Sequence, residues 1–158
     1  MRHIAQATRI AAGMVIAIPI ALRSVVAHEG ATGLVRERMD TMEHMARAMK
    51  TITQTIKANR NLTSIKSDAQ SIHDLAEKIT SQFPPGSNQH PSEAKPVIWQ
   101  KWPDFEAKAR ALAAESEKLA NADAQNAKSI AAQARAVSQA CSDCHESYRA
   151  KMPKHEHR

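Results

Sequence analysis

Residues 130–149 read IAAQARAVSQACSDCHESYR, and this segment predicts the architecture around which the rest of the chain is arranged. Its apolar and sulfur-containing positions recur every three or four residues, at Ile130, Ala134, Val137, Cys141, Cys144 and Tyr148. This spacing places them along one face of an α-helix. Both cysteines of the chain lie on that face, so we expect them to point towards the interior of a helical domain.

Cys141, Cys144 and His145 form the pattern C-x-x-C-H, which is typical of covalent haem attachment. The spacing has a chemical reason, because the two thiols can add to the two vinyl groups on one edge of a haem. The imidazole of His145 then lies beneath the iron and binds it. We therefore predict a single haem c that is held against the inward face of this helix.

Three other kinds of site also use paired cysteines, and the residues alone leave them open. A thioredoxin-like dithiol has the C-x-x-C pattern, although it normally opens a helix that follows a strand. A structural zinc site needs further ligands, for which His155 and His157 are available. A disulfide is compatible with two cysteines in a secreted chain. The position of the motif, deep in a helical pattern, favours haem over all three.

The first residues predict a secretory leader that is separate from the fold. A positively charged start precedes a 13-residue apolar run at 10–22, which is too short to span a bilayer. Residues 25–27 (VVA) offer suitable side chains ahead of a cleavage site, so we predict a Sec-type signal peptide over residues 1–27. An uncleaved anchor is the alternative. The mature domain is then residues 28–158, located in the periplasm.

The charge of the chain does not predict nucleic-acid binding. The formal net charge is +6, but three of the 22 Lys and Arg residues lie in the leader, which contains no acid. Residues 28–158 therefore carry 19 basic against 16 acidic residues, a net charge of +3. They contain neither a dense basic stripe nor alternating basic and aromatic residues.

Periodicity predicts an all-α domain with little β-structure. Four helices are expected, at about residues 32–59, 63–82, 104–120 and 122–152. Thr32 is a candidate N-cap, Asp104 is a candidate N-cap or first-turn acid, and Pro103 should prevent the third helix from starting earlier. Short links flank a long proline-rich segment at 83–103, which Trp99 and Trp102 could anchor. This arrangement suits an antiparallel four-helix bundle.

The predicted first helix is rich in methionine. Its apolar stripe consists of Val35, Met39, Met42, Ala46, Met49, Thr53 and Ile56. A methionine sulfur could bind haem iron opposite a histidine and raise its potential, whereas methionine also fills core gaps without any such role. Helical spacing does not choose between the methionines. The chain has only 3% aromatic residues, so a large apolar cofactor would supply buried surface that the side chains lack.

Three segments resemble the cytochrome c′ family, including its low-spin cytochrome c-556 branch. Residues 141–149 (CSDCHESYR) resemble the family's C-x-x-C-H-x-x-[Tyr/Phe]-Arg segment near the end of the chain. Residues 95–99 (KPVIW), followed by Phe105, resemble its Pro-x-Ile-Trp segment. Residues 35–42 (VRERMDTM) resemble its Arg-x-x-x-Met/Leu segment. The resemblance covers nearly all of the predicted mature chain.

The resemblance implies a four-helix bundle with one haem near its end, two thioether anchors in the C-x-x-C-H motif and a proximal histidine. The family's distal residue follows its first-helix arginine by four positions, so matching Arg38 makes it Met42. A methionine ligand there implies six-coordinate, low-spin iron and one-electron transfer, with Met39 as the fallback. The resemblance also places Arg38 and Arg149 near the haem propionates, and we expect Tyr148 to pack beside the haem.

The alternative function is a high-spin cytochrome c′ that binds nitric oxide or carbon monoxide at an open distal face. We expect no bond-making chemistry, and the expected partners are redox proteins that bind transiently. A homodimer through the first two helices would use apolar residues outside the core stripe, such as Leu34, Ile52 or Leu75. Three further histidines are expected to be surface residues: His44, His73 and His90.

Overall fold

A computed structural model describes residues 31–151 of the chain. The predicted signal peptide and the tail histidines His155 and His157 lie outside these residues. The described part contains five helices, which are α1 (Gly33–Ala58), α2 (Ile65–Ala76), α3 (Val97–Gln100), α4 (Trp102–Ala120) and α5 (Ala127–Tyr148). None of the helices in this part is long and apolar enough to cross a membrane.

The four longer helices form the predicted antiparallel four-helix bundle. α1 packs on α2, α2 on α4, α4 on α5, and α5 returns to α1, so each helix has two neighbours. The contact between α1 and α5 is the slightest of the four, and it leaves a cleft between these two helices. The all-α fold is confirmed, and the cleft lies where the cysteine-bearing helix faces the methionine-bearing one.

The core consists mainly of aliphatic side chains from all four long helices. Its most deeply buried large members are Ile52, Ile65, Ile72, Ile98, Phe105, Leu119 and Val137. Aromatic packing is concentrated at one end, where the Phe105 ring lies 5.0 Å from Phe83 and 5.3 Å from Tyr148 between centroids. Trp99 Nε1 donates to the Phe83 carbonyl oxygen at 3.0 Å, which ties the segment before α4 to this end, as predicted.

Local interactions set helix starts that differ from the predicted ones. α4 begins at Trp102, and Pro103 lies within its first turn, where a missing N–H breaks no helical hydrogen bond. The expectation that Pro103 prevents an earlier start is therefore wrong. α5 begins at Ala127, later than predicted, because Asn126 Oδ1 accepts a hydrogen bond from Ser129 N at 3.0 Å and caps the helix.

The predicted second helix is divided into three pieces. A 3₁₀ turn at Leu62–Ser64 precedes α2, and a second one at Thr80–Gln82 follows a turn after Ala76. α1 ends at Ala58 and is followed by the C-cap Asn59, whose left-handed backbone (φ 48°, ψ 41°) is a conformation that asparagine tolerates. Thr32 occupies the N-cap position of α1, but its side chain makes no capping hydrogen bond.

The core face of α1 is rotated by about one residue from the predicted stripe. The buried residues of α1 are Val35, Arg38, Thr41, Met45, Ala48 and Ile52. Ile52 is fully buried, so its expected place on a dimer surface is wrong, whereas Leu34 is 41% exposed. The predicted stripe residues Met39, Met42 and Met49 are half-buried and line the cleft instead.

Candidate haem-binding site

The cleft between α1 and α5 brings together the residues that the sequence singled out. It comprises two adjoining cavities of about 420 Å³ and about 580 Å³, each within the usual range of ligand sites. We call the first the Arg38 end and the second the Lys50 end, after one lining residue of each. Five residues line both ends: Met42, Ala46, Ile79, Cys144 and His145.

Cys141 and Cys144 lie one helical turn apart on α5, and both thiols are half-buried. Burial raises the pKa of both, and that of Cys144 rises to about 11, with the positive charge of Lys108 opposing the shift. A dithiol oxidoreductase needs a thiolate, which a lowered pKa supplies. The cleft therefore does not favour dithiol redox chemistry at this pair.

His145 lies at the exposed mouth of the cleft and lines both of its ends. Partial burial lowers the pKa of the imidazole, the positive charge of Arg149 lowers it further, and Glu93 opposes the shift. This environment favours the neutral imidazole, which is the form that binds a metal.

The methionines of α1 form the wall opposite the C-x-x-C-H motif. Met39 lines only the Arg38 end, whereas Met45 and Met49 line only the Lys50 end. Among the described methionines, Met42 alone lines both ends together with His145. Helical spacing could not separate Met42 from Met39, because the distinction depends on how α1 is rotated against α5.

Arg38 is only 4% exposed, and its guanidinium is bound by the segment after α2. It donates to Ser87 Oγ at 3.1 Å, to Ser92 Oγ at 2.5 Å and to the Ser87 carbonyl oxygen. Its guanidinium carbon lies 4.6 Å from the centroid of the Phe83 ring. Burial lowers its pKa. No carboxylate within residues 31–151 pairs with it, so an anionic group in the cleft would find a buried positive charge.

Tyr148 lies in the last turn of α5, is buried and lines the Arg38 end of the cleft. Its hydroxyl donates to Asp104 Oδ2 at 2.5 Å, which joins the end of α5 to the first turn of α4. Burial and this carboxylate raise the pKa of Tyr148 to about 12. Tyr148 is therefore a neutral hydrogen-bond donor at this end of the cleft. Asp104 is confirmed as a first-turn acid of α4.

A short segment before α3 crosses the end of α5. Ala94 and Arg149 form an antiparallel β-bridge, and Arg149 Nε donates to a carboxylate oxygen of Glu93. Lys95 Nζ donates to the carbonyl oxygens of Glu146 and Ser147, which satisfies acceptors in the last turn of α5. Arg149 therefore lines the Arg38 end, where it is already paired with Glu93.

Sequence reasoning missed the partners that hold these residues. Ser87, Ser92 and Glu93 lie in the proline-rich segment and carry no motif, so nothing in the sequence assigned them to the site. His73 was expected to be a surface residue, and this is wrong because it is half-buried, with Nδ1 lying 3.0 Å from the Ala113 carbonyl oxygen of α4. His44 and His90 are exposed, as expected.

Comparisons with known proteins give the family. The family model described as Cytochrome C' matches residues 33–149. The chain belongs to the cytochrome c′ family. It is 30% identical to a cytochrome c-556 of Agrobacterium fabrum strain C58 over 124 residues, covering 77% of this chain and 84% of that one.

Solved structures of cytochromes c′ have the same fold. One, a cytochrome c′ with an unusual ligand-controlled dimer dissociation, has a TM-score of 0.69 at 26% identity and covers 75% of this chain and 95% of its own. Another, the nitric oxide complex of a mutant of cytochrome c prime from Alcaligenes xylosoxidans, has a TM-score of 0.68 at 26% identity, covering 75% and 94%. Proteins of this family bind covalently attached haem c.

The residues of the cleft fit a haem c. The lining is predominantly apolar, with Ile79, Phe83, Ile98 and Phe105 among its members. The thiols of α5 and the imidazole of His145 lie on one wall, and the methionine side chains of α1 lie on the other. The buried guanidinium of Arg38, which has no acidic partner within residues 31–151, lies at one end. A haem c needs such groups: apolar walls for its ring, thiols for its two vinyl groups, ligands for its iron and a cation for its carboxylates.

Proposed function

We propose that this protein is a periplasmic one-electron carrier with one haem c. In this proposal residues 1–27 direct export and are removed, and residues 28–158 form the cytochrome domain. Cys141 and Cys144 would hold the haem through thioether bonds, and His145 and Met42 would bind its iron.

The position of Met42 is the observation that supports this proposal most strongly. Met42 is half-buried on α1 and lines both ends of the cleft, as His145 does from α5. A methionine and a histidine on opposite walls are the axial pair found in electron-transfer cytochromes. Met39 lines one end only, so it is the weaker candidate.

When bound, the haem supplies an iron that alternates between Fe(II) and Fe(III), and the chain tunes this property without making or breaking substrate bonds. A thioether ligand from Met42 would favour the reduced iron over the oxidised one and so would raise the potential. Ile79 and Phe105 give the cleft an apolar lining. Arg38 would offer its positive charge to the propionates at the Arg38 end. Arg149, which is paired with Glu93, and Tyr148 line the same end.

A gas-binding function is the second candidate, and one relative favours it. The nitric oxide complex among the similar structures shows that a protein of this fold forms such a complex. For this chain, gas binding requires that Met42 leave the iron five-coordinate, with an open distal face. The two functions therefore differ in whether the Met42 side chain binds the iron.

We also propose that the protein associates with itself and, transiently, with redox proteins. A similar structure is that of a cytochrome c′ with ligand-controlled dimer dissociation. Leu34 at the start of α1 is an exposed large apolar side chain that a dimer could cover, whereas Leu75 on α2 is half-buried. Sedimentation of the wild type and of Leu34→Glu at several concentrations tests this part of the proposal.

The decisive experiment is an optical spectrum of the holoprotein purified from a periplasm that attaches haem to exported chains. We expect sharp reduced bands and no change on adding carbon monoxide, since two axial ligands leave no open position. A broad high-spin spectrum that shifts with carbon monoxide would support the gas-binding function instead. A colourless protein would refute both functions.

A further inference from the structure

The Lys50 end of the cleft has an unusual charge. Apart from His145, the charged or titratable side chains among residues 31–151 that line it are Lys50, Lys57 and the two thiols, and no acidic residue of this range lines it. The polar residues beside the lysines are neutral: Thr53, Gln54, Ser138 and Ser142. The Arg38 end differs, because Glu43 and Glu93 line it together with the arginines.

Lys50 and Lys57 are exposed and form no ion pair within residues 31–151. They are seven residues apart on α1, so they share one face and stand about 10 Å apart along the helix axis. Glu43, which lines the Arg38 end, pairs with Arg47. Lys50 and Lys57 therefore give the lining of the Lys50 end a net positive charge.

We propose that the Lys50 end is the surface on which an acidic patch of a redox partner protein docks. The inference rests on the proposed electron-carrier function. One electron passes between the reduced and the oxidised protein at this surface, and no proton or group is transferred. Cys141 and Ser142 line the same cavity, so a partner here lies against the edge that carries the thioether attachment. A charged mouth beside an apolar cleft steers an oppositely charged partner and suits a transient interface.

Oxidation of the reduced holoprotein by two small oxidants of opposite charge tests the proposal. Ferricyanide is the anionic probe, and tris(phenanthroline)cobalt(III) is the cationic one. The cleft variant is Lys50→Glu/Lys57→Glu, and the control is Lys66→Glu/Lys128→Glu. The control changes net charge equally, but neither of its lysines lines the cleft. Lys128 stands about 20 Å along α5 from Cys141.

At low ionic strength we expect the cleft variant to react with ferricyanide at least about tenfold more slowly than the control variant, and with the cobalt complex faster. The difference should largely disappear at about 1 M salt, where screening acts within a few ångströms. Equal rates in the two variants would overturn the proposal. So would an altered optical spectrum or midpoint potential in the cleft variant alone, because the lysines would then serve the haem rather than a partner.

Failure of the underlying function gives a separate result. A wild-type holoprotein that shows no reversible one-electron reduction refutes the electron-carrier function, and the docking proposal falls with it. Reversible reduction combined with equal rates in the two variants refutes only the docking surface.

Discussion

Replacing Arg38 with methionine should destabilise the protein far more than replacing its neighbour Arg36. Arg38 is 4% exposed and makes charged hydrogen bonds to Ser87 and Ser92, at 3.1 and 2.5 Å between the guanidinium nitrogens and the hydroxyl oxygens. Each such bond contributes about 1.5–3 kcal/mol, and its stacking on Phe83 adds about 1 kcal/mol. Relief of the buried charge offsets part of this. We therefore expect Arg38→Met to lower the free energy of unfolding by about 2–4 kcal/mol.

Arg36→Met is the matched control, because Arg36 is exposed on the same helix and pairs with Asp40 at 3.1 Å in an i,i+4 geometry. Such a pair contributes about 0.3–0.5 kcal/mol. Urea unfolding of the two holoprotein variants, followed by helical circular dichroism, measures the difference. A midpoint shift for Arg38→Met no larger than that for Arg36→Met would refute the inference that this guanidinium holds the segment from Ser87 to Ser92 against α1.

Two further predictions concern the aromatic end and the core. The pKa of Tyr148 is raised to about 12, so the folded state holds this proton more tightly than the unfolded chain, and stability is retained below pH 10 but lost between pH 10 and 12. Because Asp104 is exposed, we expect the free energy of unfolding to fall by about 1–2 kcal/mol over this range. The fall should be absent in Tyr148→Phe. Urea unfolding of both proteins at several pH values measures it, and identical pH profiles would contradict the prediction. Ile52→Ala should lower the free energy of unfolding by about 2–5 kcal/mol, since Ile52 is fully buried. Leu34→Ala should change it by no more than about 0.5 kcal/mol. Equal thermal midpoints of the two variants would show that Ile52 is not in the core.

The fold was predictable because its signals are local. The stripe of α5 repeats with helical period over nearly twenty residues, and the proline-rich segment at 83–103 separates two helical pairs. The helix ends were less predictable, since they depend on single hydrogen bonds. Asn126 caps α5 with its side chain, and Pro103 fits into the first turn of α4 instead of preceding it.

The rotation of α1 could not be read from its sequence. Alternating steps of three and four residues fit the face of Met39, Met42 and Met49, and an arginine at position 38 argues against the neighbouring face as a core. The structure buries Arg38 because Ser87 and Ser92 satisfy its guanidinium, and these partners lie about 50 positions away in sequence. Apolar periodicity identified a helix face correctly, but that face lines the cleft and not the aliphatic core.

The axial ligation of the iron is the central claim, and Met42→Ala compared with Met39→Ala tests it most directly. Both substitutions remove a methionine from the same wall of the cleft, but only Met42 lines both ends with His145. The measurement is the near-infrared sulfur-to-iron band of the oxidised holoprotein, together with the response of the reduced form to carbon monoxide. We predict that Met42→Ala abolishes the band and permits carbon monoxide binding, whereas Met39→Ala retains the band and excludes the gas. Retention of the band in Met42→Ala, or its loss in Met39→Ala alone, would contradict the account.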